Sequence, residues 1–424
     1  MSPLLLICLL QPAIDPALEP ALPAFLATDL PEVLAKPHPT AASNGTATDW
    51  QLSAELALSR QQRHWQSRLA LDSRFSHNSD DQSAYVRWNS RLDGFGGTSD
   101  SDDNSAAVMS WKELYVGYRW NDSWLTELGR INQKNGVARG YNPTDFFAGN
   151  AVRAVISQQP AVLREQRLGS LMLRQQWLGD AQSVTLLWSP QLATQPDDAT
   201  FSPDWARTNA VARWQISAEQ QLYTGWTLGL LSYQSKNAEP QYGLNLSGAL
   251  NERWLYHLEA ATGSQPQFIV PPDSAWHASD IAANVNAGST ASRVATGVSY
   301  SLELPLTLTL EWQYDDAAAG RHDWQQLLEL PALWQQYLQQ RQGQQPTRQA
   351  LLFQAQSQQW WPGFDWSCLW LHDLQDNSDM LLTELTWMKP EYDIVLQWQW
   401  APGPTRSHFG AASSQLQLLL RYYF

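Results

Sequence analysis

The sequence lacks the long apolar runs of a helical membrane protein and the cysteines of a disulfide-bonded or zinc-binding protein. No apolar stretch approaches the roughly 20 residues that a membrane-spanning helix needs, so a helical membrane protein is excluded. Cysteine is scarce: Cys8 lies in the N-terminal apolar run, and Cys368 stands far from it. The CxxC and Cys/His spacings of zinc sites are missing. We therefore expect no internal disulfide in the mature chain, no metal site and no cofactor.

Positive charge is also scarce. The chain has 27 Lys and Arg against 41 Asp and Glu, a formal net charge of -14. A nucleic-acid partner would need a basic face, so nucleic acid is excluded as a partner. Tryptophan, in contrast, is abundant at 23 residues, although only 43% of the chain is hydrophobic. Alternating strands with aromatic rings at both membrane interfaces give a transmembrane barrel this composition.

The N-terminal region predicts an export signal followed by a tail. A short apolar run has no basic residue before it, since the first Lys or Arg is Lys36, which suggests a truncated or misassigned start. Cleavage after Ala13 or after Ala27 stays open. The next residues are rich in Ala and Pro and show no period. This divides the chain into a signal peptide (1–27), a periplasmic tail (28–48) and an outer-membrane barrel (49–424).

From Asp49 onward the dominant signal is an alternation of apolar and polar residues with period two, which marks strands with two different faces. In residues 306–314, for example, Leu and aromatic residues alternate with Thr, Glu and Gln. About 18 such runs (16–18) are long enough for a tilted strand of roughly 9 to 11 residues to cross a bilayer. They begin near residues 49, 63, 83, 109, 123, 164, 181, 206, 223, 240, 253, 292, 306, 347, 364, 380, 392 and 414. The sequence thus predicts an all-β, transmembrane antiparallel β-barrel.

The predicted connections mostly alternate between tight links and long loops, as the short periplasmic turns and long extracellular loops of outer-membrane barrels do. An even number of strands places both termini on the periplasmic side. The last run ends at the C-terminal Phe424, which resembles the signal that bacterial outer-membrane proteins present to their assembly machinery. Outer-membrane lipid, lipopolysaccharide and, through Phe424, that machinery are the expected partners.

The predicted lumen face carries a cluster of charge on the second to fourth strands. A charge on a wall facing water costs little, whereas one at the lipid-facing midplane costs roughly 2 to 4 kcal/mol. Two readings stay open: ion pairs that brace a packed barrel, or an arginine ladder that guides an anionic solute. The candidate solute-contacting residues on these strands are Arg68, Arg74, Arg87, Arg91 and Arg119, accompanied by Asp72 and Glu113.

Residues 133–164 form the most unusual predicted loop. About 30 residues without strand character are either functional or disordered. The loop is basic, with Lys134 and Arg164 as well as Arg139 and Arg153, which we add to the candidate solute-contacting residues. Gly136, Gly140 and Pro143 are turn formers, and Thr144 or Asp145 is placed to cap a short helix through Ala154.

This loop is either an ordinary surface loop or a constriction that folds back into the pore. In the second reading two phenylalanines pack on the wall and the arginines face the channel. The candidate constriction residues are Asn142, Pro143, Thr144, Asp145, Phe146 and Phe147.

One stretch of the sequence resembles a known motif. GRINQKNGVARGYNPTDFF is similar to the strand-and-loop motif of porin-like proteins of Gram-negative bacteria, which include exported barrels related to the alginate-export type. Gly129, Arg130 and residues 142–145 occupy the motif, whereas Asn132 and Gln133 stand where a tryptophan and a glycine are expected. The resemblance covers under a tenth of the chain and implies a porin-like class without naming a substrate.

Two further loop features are expected near the membrane surface. Apolar residues recur at helical spacing in residues 324–342, which predicts an amphipathic helix that plugs the pore, lies on its rim or packs on the nearest wall. The acidic run of Asp100, Asp102 and Asp103 lacks the pattern of an EF-hand and is expected to be a solvated loop tip, bridged to lipopolysaccharide by divalent ions.

The leading functional hypothesis is a channel that passes a small solute, either anionic or neutral, or a polymer. A surface receptor or scaffold that works through its outer loops is the first alternative. An outer-membrane hydrolase is the second, because His257 and Glu259 share one strand face. Most tryptophans are explained as interface anchors, and no spacing in the sequence supports a carbohydrate path.

Overall fold

A computed structural model describes most of the chain from Thr48 to Phe424. The described residues are 48–61, 64–97, 107–149, 151–195, 197–223, 225–236, 238–268, 285–329, 334, 337–338, 341, 344–404, 406–410 and 414–424. The predicted signal peptide and nearly all of the predicted tail, like the acidic run at residues 100–103, lie outside them.

Eighteen strands form the scaffold. They are β1 (Thr48–Gln61), β2 (His64–Asn78), β3 (Ala84–Gly97), β4 (Ala107–Asn121), β5 (Trp124–Ile131), β6 (Ser170–Leu178), β7 (Gln182–Ser189), β8 (Arg213–Tyr223), β9 (Trp226–Ser235), β10 (Gln241–Ala249), β11 (Trp254–Phe268), β12 (Val285–Ser301), β13 (Leu306–Asp315), β14 (Gln349–Trp361), β15 (Phe364–Asp373), β16 (Asp379–Met388), β17 (Tyr392–Trp400) and β18 (Gln415–Tyr423).

Each strand pairs antiparallel with its neighbours in sequence, and the sheet closes on itself where β1 pairs with β18. In this last pair Glu55 lies opposite Arg421, and Leu58 lies opposite Leu418. Closure removes both sheet edges, so every strand finds backbone hydrogen-bond partners on its two sides, as a strand in hydrocarbon requires. The predicted all-β antiparallel barrel is therefore confirmed.

The two ends of the barrel differ. We call one end of the barrel the turn end. There, connections of two to five residues join each even-numbered strand to the next strand, from β2 and β3 to β16 and β17. The other end, the loop end, carries the long connections, including residues 132–169, 190–212 and 316–348. The link between β1 and β2 at the loop end is only residues 62–63, so the alternation of short and long connections is incomplete there.

The outer surface is apolar. Along each strand the exposed side chains are mainly Leu, Trp, Val and Phe, whereas the alternate positions carry the buried polar and charged residues. Leu69 is 63% exposed and Trp120 is 66% exposed, which in water would be costly for side chains of this size. Six tryptophans are exposed near strand ends, where interface anchors are expected: Trp65, Trp120, Trp124, Trp254, Trp398 and Trp400.

Short helices occur in the long connections: α1 (Pro160–Glu165), α2 (Trp205–Thr208) and α3 (Arg321–Glu329). Among the described residues, no helix is long and apolar enough to cross a membrane. In α3, Trp324 and Leu327 are buried against Tyr337, and the Trp324 indole donates to Asp376 Oδ2 at 2.9 Å. The predicted amphipathic helix thus begins at Arg321 and packs against the neighbouring loop-end connection of residues 374–378.

Most strand starts agree with the sequence prediction within two or three residues, and three differ more. β6 was expected from residue 164 and begins at Ser170, because α1 occupies residues 160–165. β8 was expected from residue 206 and begins at Arg213, because α2 comes first. β12 begins at Val285 rather than near residue 292, because the strand extends beyond its alternating part.

Candidate functional site

The connection between β5 and β6 crosses the inside of the barrel. We call residues 132–169 the inward loop. It leaves the wall at β5 and makes its main polar contacts on β11 and β13, six and eight strands further round the barrel. Its later part continues round the wall, where the Gln159 amide donates to Ser367 Oγ on β15 at 3.2 Å. The loop therefore divides the lumen.

Two carboxylates on the far wall hold the inward loop by its backbone. Glu259 on β11 is fully buried and accepts hydrogen bonds from the amides of Val137, Ala138 and Thr144 at 3.0, 3.1 and 2.7 Å. The Thr144 hydroxyl and the Asn142 side-chain amide add bonds of 2.8 and 3.2 Å to the same carboxylate. Converging backbone amides form a cradle for negative charge, so Glu259 anchors this segment of the loop.

The second anchor is Glu311 on β13, which is also fully buried. It accepts from the amides of Arg139 and Gly140 at 2.6 and 3.1 Å. His257 Nε2 lies 3.0 Å from it, and the Gln313 side chain donates to it at 2.8 Å. His257 and Glu259, the residues of the hydrolase hypothesis, therefore have different partners. His257 contacts Glu311, whereas Glu259 binds the amides of the inward loop.

Two glycines stand at close contacts between the inward loop and the wall. Gly136 has a φ of 97°, and a Cβ there would lie 2.5 Å from the Glu259 carboxylate oxygens. At Gly140 a Cβ would lie 2.3 Å from the Gln313 amide nitrogen and 2.5 Å from Leu352. Both glycines let the backbone approach the wall closely enough for its amides to reach the two carboxylates.

The predicted helix through Ala154 is wrong. Residues 145–149 and 151–154 form turns and irregular structure, and Thr144 does not act as a helix cap because its amide and hydroxyl both bind Glu259. Asp145 instead pairs with Arg167 at 2.9 Å. Glu259 has taken the Thr144 hydroxyl that would have capped the helix, and the amides that follow it bind nearby loop carbonyls in turns.

The two phenylalanines of the inward loop pack on the wall. Phe146 stacks on Tyr233 of β9 with ring centroids 4.8 Å apart, and Phe147 meets the same ring edge-on at 5.8 Å. The guanidinium of Arg213 lies 4.5 Å from the Phe147 centroid, and that of Arg293 lies 5.5 Å from the Phe146 centroid. Stacking and cation–π contacts thus fix the middle of the loop.

The far part of the inward loop bounds a cavity of about 110 Å³, which we call the chamber. The loop contributes residues 155–158, and the wall contributes residues of β1, β2, β3, β16, β17 and β18. Glutamine is the dominant residue type. The lining residues are Ala57, Ser59, Gln66, Ser67, Arg68, Phe95, Val155, Ile156, Ser157, Gln158, Leu382, Gln397, Gln399, Gln415 and Gln417.

The strand register arranges this wall in rows. The row nearest the loop end contains Leu382, Gln399, Gln415 and Gln61, and the next contains Glu384, Gln397, Gln417, Ser59 and Gln66. An apolar row of Val395, Leu419 and Ala57 follows, and then the charged row of Asp393, Arg421 and Glu55. Residues opposite each other in such rows have Cβ atoms roughly 4.5 to 5.5 Å apart, so each row is a continuous strip.

The predicted lumen arginines of β2 and β3 lie in a buried ion-pair network. Glu55 is within 2.6 Å of both Arg68 and Arg91, and within 2.8 Å of Arg421. Asp93 contacts Arg68 at 2.9 Å and Arg91 at 3.0 Å. This arrangement is the bracing ion-pair network that the sequence left open, in which Arg68 and Arg91 each contact two carboxylates.

Two more cations join this network through Asp72. Lys112, which is 1% exposed, reaches the Asp72 carboxylate at 2.7 Å, and Arg74 reaches it at 3.4 Å. Lys112 occupies the extra position of a β-bulge opposite Asn89 and Ser90, which turns its side chain inward. The sequence reasoning did not single out Lys112, because the bulge breaks the alternation at that point.

The remaining arginine candidates are dispersed. Arg87 donates to Asn78 Oδ1 at 2.9 Å with its guanidinium 4.7 Å from the Tyr85 centroid, and Arg119 is exposed at the turn end. The backbone of Arg139 belongs to the Glu311 anchor. Arg153 donates to the carbonyl oxygens of Met109, Ser202 and Ala199 at 2.7 to 3.0 Å. Burial lowers the pKa of its guanidinium, an effect that nearby Asp204 offsets.

Comparison with known proteins finds similar solved structures but no similar sequence family. No protein-family model matches the sequence, and no curated protein matches it. Among solved structures, the barrel is similar to OccAB1 of Acinetobacter baumannii (TM-score 0.53, 9% identity, 89% of this chain and 96% of that chain covered). It is also similar to OpdK, an outer membrane protein of Pseudomonas aeruginosa (TM-score 0.51, 10% identity, 89% and 99% covered).

This chain has the fold of a porin-like outer-membrane β-barrel. The closed 18-strand sheet, the apolar outer belt and the similar solved structures agree on that fold, which is found in the outer membrane of Gram-negative bacteria. In this porin-like barrel the chamber lies between the far part of the inward loop and the wall that carries the ion-pair network.

The glutamines of this porin-like barrel are the site residues that sequence reasoning missed. A signal was present: Gln397 with Gln399 and Gln415 with Gln417 stand two residues apart, on the face opposite the lipid-facing leucines and tryptophans. The pairing of β17 with β18 then sets the two pairs side by side. Within one strand such a pair looks like any two polar residues on the lumen face. The continuous strip of glutamines can be recognised only when the pairing register of the strands is known.

Proposed function

We propose that the protein is a channel that passes small polar solutes across the outer membrane. The observation that carries this proposal is the course of the inward loop, anchored on Glu259 and Glu311 at one wall and facing the glutamine rows at the other. A loop fixed across the lumen narrows an 18-strand barrel without filling it. The loop leaves a chamber of about 110 Å³ beside the wall, which favours small molecules over a polymer.

A similar solved structure supports the same solute size. OpdK of Pseudomonas aeruginosa has also been determined with vanillate, a small organic acid anion (TM-score 0.53, 10% identity). Passage of a compound of that size is consistent with the chamber of this chain. The receptor or scaffold alternative requires a lumen that solutes do not cross.

Liposome permeability separates the channel from the receptor and tests the role of the loop. The refolded barrel is expected to make liposomes permeable to sugars and amino acids, and deletion of residues 136–156 is expected to raise single-channel conductance. The deletion variant must first show the heat-dependent shift in gel mobility of a folded barrel. Sealed vesicles would contradict the channel, and an unaltered conductance would contradict the constriction.

Anion preference is a second candidate property. It rests mainly on Arg87, which is half-buried and donates to Asn78, because Arg68, Arg91 and Arg74 already contact carboxylates. If Arg87 attracts anions, Arg87→Ala lowers the anion-to-cation permeability ratio in a salt gradient. Lys236→Ala, which also removes one cation but in a loop-end connection, is the matched control. An unchanged ratio in Arg87→Ala would rule this preference out.

A further inference from the structure

On the basis of the proposed channel, we propose that the chamber is a binding site for a neutral, polyhydroxylated solute such as a monosaccharide. The site is formed by the glutamine rows of β2, β17 and β18 and by residues 155–158 of the inward loop. It lies toward the loop end of the ion-pair network, so a solute entering from the loop end meets amide groups before it meets charge.

The chemistry of the lining matches hydroxyl groups. Each glutamine amide offers two N–H donors and a carbonyl acceptor, and each serine hydroxyl donates and accepts as well. A sugar hydroxyl also donates one hydrogen bond and accepts others, so rows of amides and hydroxyls can satisfy several sugar hydroxyls together. Gln397, Gln417, Ser59 and Gln66 lie in one such row across four strands.

The balance of charge disfavours an anion at this position. Among the described lining residues Arg68 is the single charged one, and its guanidinium is held by Glu55 at 2.6 Å and Asp93 at 2.9 Å. Glu384 lies at the end of the second glutamine row and accepts from Gln397 at 2.5 Å, which adds negative charge nearby. An anion entering the chamber would lose hydration without gaining an unpaired cation.

The chamber also offers an apolar surface. Phe95 and Val155, which are 44% and 52% exposed, line it together with Leu382. A pyranose ring has polar edges and a C–H face, so it suits a site with amides on some sides and an aromatic ring or aliphatic side chains on another. The combination fits a sugar better than a small ion, which has no apolar face.

The experiment compares two solutes of the same carbon skeleton, glucose and gluconate, one neutral and one anionic. The full barrel is reconstituted in liposomes loaded with either compound, with KCl on both sides so that no potential builds up, and efflux is measured chemically. Glucose is expected to leave faster than gluconate. In planar bilayers glucose is also expected to reduce the KCl current in a saturable way, which reports binding directly.

The variant for this test is Gln66→Leu with Gln415→Leu, which keeps side-chain volume and removes two lining amides. Gln397 is left intact, because its loss would leave the Glu384 carboxylate without that partner. The variant is expected to weaken current block by glucose about three- to tenfold, the effect of one or two neutral hydrogen bonds. Gln354→Leu is the matched control, since it faces the same lumen opposite Thr309 and lies outside the chamber.

The outcomes separate the two proposals. If neither solute leaves the liposomes, the channel itself is wrong. If both leave and gluconate is faster, or if the double variant blocks like the wild type, the channel stands and the sugar site is overturned. A loss of glucose block in the double variant, with KCl conductance and the Gln354→Leu control unchanged, supports the site.

Discussion

Acidic side chains on the inner wall have two different structural roles in this barrel. Glu55 sits among three arginines and braces neighbouring strands, so its partners are side chains of the wall itself. Glu259 and Glu311 have few charged partners and are instead surrounded by amides of the inward loop. A buried carboxylate is costly unless its oxygens are hydrogen-bonded, and here the loop supplies those bonds.

Replacing Glu259 by Ala should therefore free the first part of the inward loop. Five hydrogen bonds to one carboxylate are lost, and the amides of Val137, Ala138 and Thr144 are left without that acceptor. We expect larger and noisier single-channel currents together with faster proteolysis within residues 132–169. Glu259→Gln should give current noise and proteolysis between those of the wild type and Glu259→Ala. Its side-chain carbonyl oxygen still accepts hydrogen bonds, whereas its NH₂ group does not.

The matched control for this prediction is Glu219→Ala. Glu219 lies on the lumen side of β8, and removing it changes the charge of the lumen by the same amount. If Glu219→Ala raises the current noise as much as Glu259→Ala does, lumen charge rather than loop anchoring is responsible. Proteolysis separates the two further, since charge alone does not expose the loop.

At the scale of elements, the strands were predictable because the residues of each strand alternate between a lipid-facing and a water-facing side. An alternation such as Leu308, Leu310 and Trp312 against Thr309 and Glu311 is complete within one strand and needs no knowledge of its neighbours. The errors occur where local structure precedes a strand, as α1 and α2 do. A helical turn of four to six residues leaves almost no periodic signal, so the start of the next strand was placed too early.

The site was less predictable than the strands, for a physical reason. The turn formers Gly136 and Gly140 and the packing of Phe146 and Phe147 could be proposed from the sequence, since they are local features. The partners of the loop amides, Glu259 and Glu311, are more than a hundred residues away. The failed helix shows the consequence: local capping rules favoured it, and the distant Glu259 took the hydroxyl of its cap residue, Thr144.

The whole molecule depends on the difference between the medium outside the wall and the medium within it. The outward side chains of all 18 strands form one apolar belt, while the inward ones form ion pairs, amide rows and loop anchors. A closed sheet needs this division, because adjacent residues of every strand face opposite sides. Two neighbouring residues should thus respond very differently to the same substitution.

Phe353 and Gln354 on β14 provide that comparison. Phe353 is 38% exposed on the outer face opposite Leu310, and Gln354 faces the lumen opposite Thr309. Phe353→Arg is expected to destabilise the barrel by roughly 2 to 4 kcal/mol relative to Phe353→Ala, since a charge at the lipid-facing midplane is costly. Gln354→Arg, on the side that faces water, should cost far less. Reversible unfolding in denaturant with lipid bilayers present measures both, and equal losses of stability at the two positions would contradict the assignment of the faces.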